Sequence, residues 1–325
     1  MATAERMPAA ATAEQPRPPR LLKLPAGLAN FSRRGFRLDQ PEQRELLEGH
    51  ARSFLAGFNL AVRHWRDPHP ALATIGEAER GFAYEGAAMH AALRDRLTAG
   101  RAHAFRRLLA GSGDGYVHLV HVGFGWAGAL PWLPLPSAVP GTPLLRWLAL
   151  DGAGFAEVYF GGPRSLRRAW RHDPAQRRTQ GRAQRWEARL AGCGRALWFV
   201  ESANVAGAAE RIAAAPEIAR GPLWSGIGLA CCYAGGAGAA GVAELAERSG
   251  RYWPHLGQGA LFGLTARARS GVVPAYTAMA GRELFGIEAA EAREWTDLAA
   301  EGLTDSLDVS AYDTWKSRLR AMVSA

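Results

Sequence analysis

Gly81-Phe82-Ala83-Tyr84-Glu85-Gly86-Ala87-Ala88-Met89 puts a single carboxylate into a run of small and apolar residues. At helical spacing Glu85 shares a face with Gly81, Ala88 and Met89, so no cation of its own helix stands beside it. An ionised carboxylate buried without a partner is very costly. The run therefore predicts a buried helix, spanning about 75–99, whose acid is neutralised from elsewhere in the fold.

The flanking sequence has the same period. From 41 to 64, Leu46, Leu47, Ala51, Phe54, Leu55, Phe58, Leu60 and Val62 recur at helical spacing. Asp39-Gln40-Pro41-Glu42 is a helix start and Asp67-Pro68-His69-Pro70 a stop. Further helices are expected at 101–110, 116–130, 190–205 and 224–240, and a hydrophobic segment at 144–160 interrupted by Asp151-Gly152-Ala153-Gly154. The fold is read as mainly α, with residues 1–20 as a disordered leader.

Charge locates rather than identifies. Residues 164–189 hold nine Arg against Asp173 and Glu187, and residues 1–37 hold seven Lys/Arg against two Glu, whereas the whole chain is only +9. The body is therefore not basic, and nucleic acid is not an expected partner. The segment 164–189 reads as a connector between a first helical half, 21–163, and a second, 190–325. Cys193, Cys231 and Cys232 are too few and too badly spaced for a disulfide framework. The N-terminus has no secretory pattern, and prolines break the apolar stretch 117–136. A cytoplasmic protein without a membrane span is the expectation.

Shifted by 145 residues, Gly49-His50-Ala51-Arg52-Ser53-Phe54-Leu55 falls on Gly194-Arg195-Ala196-Leu197-Trp198-Phe199-Val200, and Gly81-Phe82-Ala83-Tyr84 on Gly226-Ile227-Gly228-Leu229. Tyr116 and Gly123 meet Tyr252 and Gly259 at a shift of 136. These matches predict duplicated helical halves with pseudo-twofold symmetry. At the first shift Ala230 stands where Glu85 does, so the fold itself would not demand an acid there.

Glu85 is the first catalytic candidate, an acid/base or cation-stabilising group with paired burial as the alternative. Asp151 is the second, able to face Glu85 across one cavity, although Asp before Gly is also ordinary turn chemistry. His121, three residues from His118, is the third. No local acids or cysteines complete a metal set around that pair, so no metal site is expected. Gly123-x-Gly125-x-x-Gly128 has dinucleotide spacing without the strand and turn that such a site needs. No cofactor can be named. Phe82, Tyr84, Met89, Trp126, Trp224 and Tyr233 are the expected lining of an apolar pocket.

Several motifs together resemble a known group. Phe31-Ser32-Arg33-Arg34-Gly35-Phe36, Phe82 to Met89, His121-Val122-Gly123-Phe124-Gly125-Trp126-Ala127, Trp147-Leu148-Ala149-Leu150-Asp151-Gly152, Gly194 to Val200 and Leu223-Trp224-Ser225-Gly226-Ile227-Gly228-Leu229-Ala230 are similar to the uncharacterised-domain family encoded beside enediyne polyketide synthases. The resemblance implies a bacterial accessory protein of natural-product secondary metabolism, which helps convert a linear polyene from an iterative polyketide synthase into the enediyne core. Its partners would be the apolar polyene and, beyond it, the synthase and neighbouring tailoring proteins. It implies no catalytic residues. The rival readings are a non-catalytic polyene binder or scaffold, and a terpene-cyclase-like enzyme, for which the sequence has no Asp-rich diphosphate motif.

Overall fold

The structure, a computed structural model, describes residues 23–129, 140–171 and 180–325. The expected leader, 1–20, lies outside them. Among the described residues the chain is mainly α and has no strand. The helices are α1 (Phe31–Arg34), α2 (Pro41–Arg63), α3 (His69–Leu72), α4 (Glu77–Leu97), α5 (Ala104–Leu109), α6 (Val117–Trp126), α7 (Leu148–Arg171) and α8 (Gln180–Val200). They continue as α9 (Val205–Ala213), α10 (Glu217–Ala234), α11 (Ala239–Ser249), α12 (Trp253–Ser270), α13 (Ala275–Phe285), α14 (Ala289–Ala299) and α15 (Val309–Ser324). None of them is long and apolar enough to cross a membrane.

Two expected boundaries change. Asp151-Gly152-Ala153-Gly154 does not interrupt a helix but lies inside α7, which kinks later, at Gly162 (φ 65°). Of the Arg-rich stretch expected as a connector, 164–171 ends α7 and 180–189 begins α8, while 172–179 lie outside the described residues.

The long helices pack in chain order, α2 on α4, α4 on α6, α6 on α7, α7 on α8, α8 on α10 and α10 on α12. Glycine lets each pair approach backbone to backbone. A β-carbon on Gly86 would fall inside the radius of the Phe54 carbonyl oxygen, and one on Gly57 would strike the Ala83 backbone. Gly192 and Gly154 do the same between α7 and α8, and Gly194 and Gly226 between α8 and α10. Such seams gain dispersion contact and Cα–H···O contacts that a side chain would preclude. Propensity alone would disfavour so many helical glycines, so here packing overrides it.

The first helix of the row has a single long neighbour in it, α4, and the turn Ala26–Ala29 and α3 also pack on it. α2 packs on α4, but across the interior it makes almost no backbone contact with α10. Side chains bridge that gap. His50 of α2 lies 2.9 Å from the Ala234 carbonyl at the end of α10, and beside it the Phe82 ring of α4 meets the Tyr233 ring of α10 edge to face. The segment before α2 straps the outside, with the Arg37 N–H donating to the Val200 carbonyl and Phe31 and Phe36 packed against Phe199 and Tyr159.

The seams predict opposite results for one substitution. Gly49 of α2 has only the tip of Arg52 near its missing β-carbon, so Gly49→Ala should stabilise by about 0.5–1 kcal/mol through helix propensity. Gly86→Ala should instead destabilise by ~2 kcal/mol or more, because backbone cannot yield as a side chain does. Urea unfolding of both variants checks this. Equal gains would contradict the close seam.

Candidate functional site

Four successive helices of the row each send one polar group inward. Glu85 comes from α4, Trp126 from the end of α6, Asp151 from α7 and Arg195 from α8. All are buried, with Glu85 2%, Asp151 3% and Arg195 5% exposed. Glu85 Oε1 accepts from Trp126 Nε1 at 2.7 Å and from both Nη atoms of Arg195 at 3.2 Å. Arg195 Nε stands 2.9 Å from Asp151 Oδ1, with neither atom aligned for a hydrogen bond. Arg195 also lies 4.3 Å from the centre of the Phe155 ring.

Two carboxylates thus share one guanidinium. Burial pushes the Asp151 carboxyl up to about 6, with the Glu85 charge adding to the rise and the Arg195 charge opposing it. For Arg195, burial works against the charge, but Asp151 and Glu85 outweigh it and raise its pKa. The cation is therefore the fixed member of the cluster and Asp151 the member that gives way.

Beside the cluster runs an apolar crevice. From α2 it takes Ala51, Phe54 and Leu55, from α7 Phe155, Tyr159 and Phe160, from α8 Phe199, and from α10 Leu229, Ala230 and Ala234. Phe82, Glu85, Trp126, Arg195, Tyr233 and His50 complete it. The side chains close on one another so nearly that the space left between them is about 30 Å³, room for about one water molecule. Trp126 is flanked by Phe54 at 4.2 Å and Phe155 at 4.8 Å between ring centres. Phe160 and Leu229 are the two lining residues that remain partly exposed, and they mark the rim.

His50 is fixed at one edge. Its Nδ1 is 2.8 Å from Glu79 Oε1, its Nε2 faces the Ala234 carbonyl, and its ring stacks on Phe82. For Glu79 the cost of burial is outweighed by the His50 hydrogen bond and charge, with help from Ser53 and Arg267, and its pKa falls. Both neighbours of the ring are acceptors, so the imidazole spends its nitrogens on fastening α2 to α4 and α10.

The sequence candidates are distributed unevenly. Glu85, Phe82, Trp126 and Tyr233 line the crevice, and Asp151 stands behind Arg195, outside the lining. His121, the third catalytic candidate, lies outside this lining. Its Nδ1 donates to the Val117 carbonyl at 2.7 Å and its Nε2 accepts from the Thr142 N–H at 3.0 Å, while burial lowers its pKa to about 4. Tyr84, Met89 and Trp224 are buried but do not line the crevice. Tyr84 bonds His69 and stacks on Tyr116 instead. The sequence reading missed Arg195, although the signal was present. A lone cation in the apolar run 190–200 is the complement of a lone acid in 81–89.

A family model described as "Protein of unknown function (DUF1702)" matches residues 18–323. The chain belongs to that family. No curated protein and no solved structure matches it. Within this DUF1702 chain, no group of three or more His, Cys, Asp or Glu that could hold a metal ion is found among the described residues. The three cysteines are buried, and burial pushes the Cys231 thiol up to about 12.

The shifted carboxyl gives a pH test. The folded pKa of Asp151, about 6, lies above the ordinary aspartate value of 3.8, so the folded chain holds its proton more tightly. That contribution to stability is complete below the unfolded value and lost as pH rises through about 6. Asp151→Asn should therefore gain on the parent chain between acid and neutral pH, by up to ~3 kcal/mol. Urea unfolding at each pH measures the difference. A difference independent of pH would show Asp151 ionised throughout.

Proposed function

We propose that the protein binds an elongated, unsaturated, apolar small molecule in this crevice and acts on it at Glu85. The observation that carries the reading is the position of Glu85: it is a carboxylate in a lining otherwise dominated by aromatic and aliphatic side chains. The hydrogen bonds that Trp126 and Arg195 send to it all reach Oε1, not Oε2. An acceptor held in a water-poor aromatic slot can take a proton from a conjugated chain or stabilise positive charge developing on it. Arg195 and Trp126 fix its orientation, and Asp151 fixes Arg195.

The motif resemblance supplies the setting. Within it the ligand is the linear polyene of an iterative polyketide synthase, and the protein is an accessory of bacterial enediyne core formation. A lining of aromatic and aliphatic side chains suits an apolar conjugated chain. A non-catalytic binder of the same polyene is the second reading, favoured by the commitment of Oε1 to an internal ion pair.

We also infer that the chain is a duplication of one helical unit. Gly57 meets Ala83 and Gly86 meets Phe54, much as Gly194 meets Leu223 and Gly226 meets Ala191. Gly123 abuts the Glu85 carbonyl as Gly259 abuts that of Ser225. These contacts support a correspondence in which Ser225, rather than Ala230, takes the place of Glu85. On this reading the second half keeps a hydroxyl there, bonded to Gln258.

Glu85→Gln keeps shape and removes the charge. In a producing strain, mass spectrometry should show loss of the mature product and accumulation of the polyene, with polyene binding by the purified variant retained within about threefold. If product formation persists while binding is intact, the catalytic role is wrong and the binder reading stands.

A further inference from the structure

The crevice has an uneven inventory of polar atoms, and it speaks to the charge of the ligand. Most of its donors are committed within the protein, the hydroxyl of the lining residue Tyr233 being the exception. Trp126 Nε1 and both Nη atoms of Arg195 point at Glu85 Oε1, and the Tyr159 hydroxyl donates to the Leu28 carbonyl. His50 turns both ring nitrogens to Glu79 and the Ala234 carbonyl. Arg267, the next cation, stands behind Tyr233 and outside the lining. It is spent on the carbonyls of Tyr233 and Ala78 and on the Tyr276 hydroxyl.

What the lining offers is the opposite polarity. The hydrogen bonds that described residues send to Glu85 all reach Oε1 and leave Oε2 facing the crevice lining, and two carboxyl groups, Glu85 and Asp151, face a single guanidinium. The rings of Phe54, Trp126 and Phe155 line the same crevice, Phe155 already carrying Arg195 against its ring, and aromatic faces attract cations. A ligand carboxylate would bring a third negative charge into the same low-dielectric space, with Arg195 already shared.

Resting on the reading of the crevice as the binding site, we propose that it selects apolar chains that carry or develop positive charge and rejects those ending in a free carboxylate. The substrate class is then an uncharged or cationic polyene, not a polyene acid. A substrate delivered as the acid or thioester must lose or mask that group before it enters.

Three fluorescent trienes of one shape test this: neutral diphenylhexatriene, its trimethylammonium derivative and its propionic acid derivative. With the full chain at neutral pH, the neutral and cationic probes should bind at least about tenfold more tightly than the acid. Glu85→Gln should bring cation and acid within about threefold of each other and leave the neutral probe nearly unchanged. Asp151→Asn, which leaves the lining intact, should lower the cation-to-acid preference in the same direction. It serves if the Glu85 variant does not fold. An acid that binds the parent chain as tightly as the cation overturns the proposal, as does a preference that survives in both variants. If none of the three probes binds, the crevice is not the site at all. That outcome defeats the underlying reading and is distinct from loss of charge selection alone.

Discussion

One guanidinium held between two carboxylates in a helical interior constrains the whole structure. Burying charge is unfavourable unless each member is paired, and removing one partner leaves another exposed to a medium that cannot solvate it. Arg195 meets this condition by reaching from α8 to α7 and α4 at once, with Trp126 of α6 completing the shell of Glu85. The four helices must keep their rotation and height relative to one another. An apolar cluster would tolerate slippage that this one does not.

The glycine seams make that reach possible. With backbones in direct contact, as between Gly86 and the Phe54 carbonyl or Gly192 and that of Asp151, the interior is narrow enough for one arginine to span it. The same Asp151 therefore offers its carbonyl to a seam and its side chain to the cluster. The packing and the electrostatics of the site are consequences of one arrangement.

Much of the frame could be read from the sequence because helical periodicity and capping are local. The limits of α2 and α4 follow from Pro41, Pro68 and the apolar spacing, and Glu85 stood out as an acid with no local partner. The errors have a common origin in glycine and in distance. Asp151-Gly152-Ala153-Gly154 reads as a turn because glycine is a poor helix former, and only the approach of α6 and α8 reveals why it is helical. His121 reads as a polar group for the cavity until the Thr142 N–H, 21 residues on, is seen to occupy it. Arg195 was as anomalous in its run as Glu85 was, but pairing two anomalies 110 residues apart requires the fold.

The seams also decide where bulk can go. Since Gly57, Gly86, Gly123, Gly154 and Gly192 claim the surfaces between helices, large rings are displaced from those surfaces to the hollow side of the row. There Phe54, Phe82, Trp126, Phe155 and Phe199 contact one another or the space between them. Frame and lining are thereby written in different residues of the same helices. A ring of the lining can therefore be exchanged without touching a seam, whereas a side chain at one of these glycines would force two helices apart.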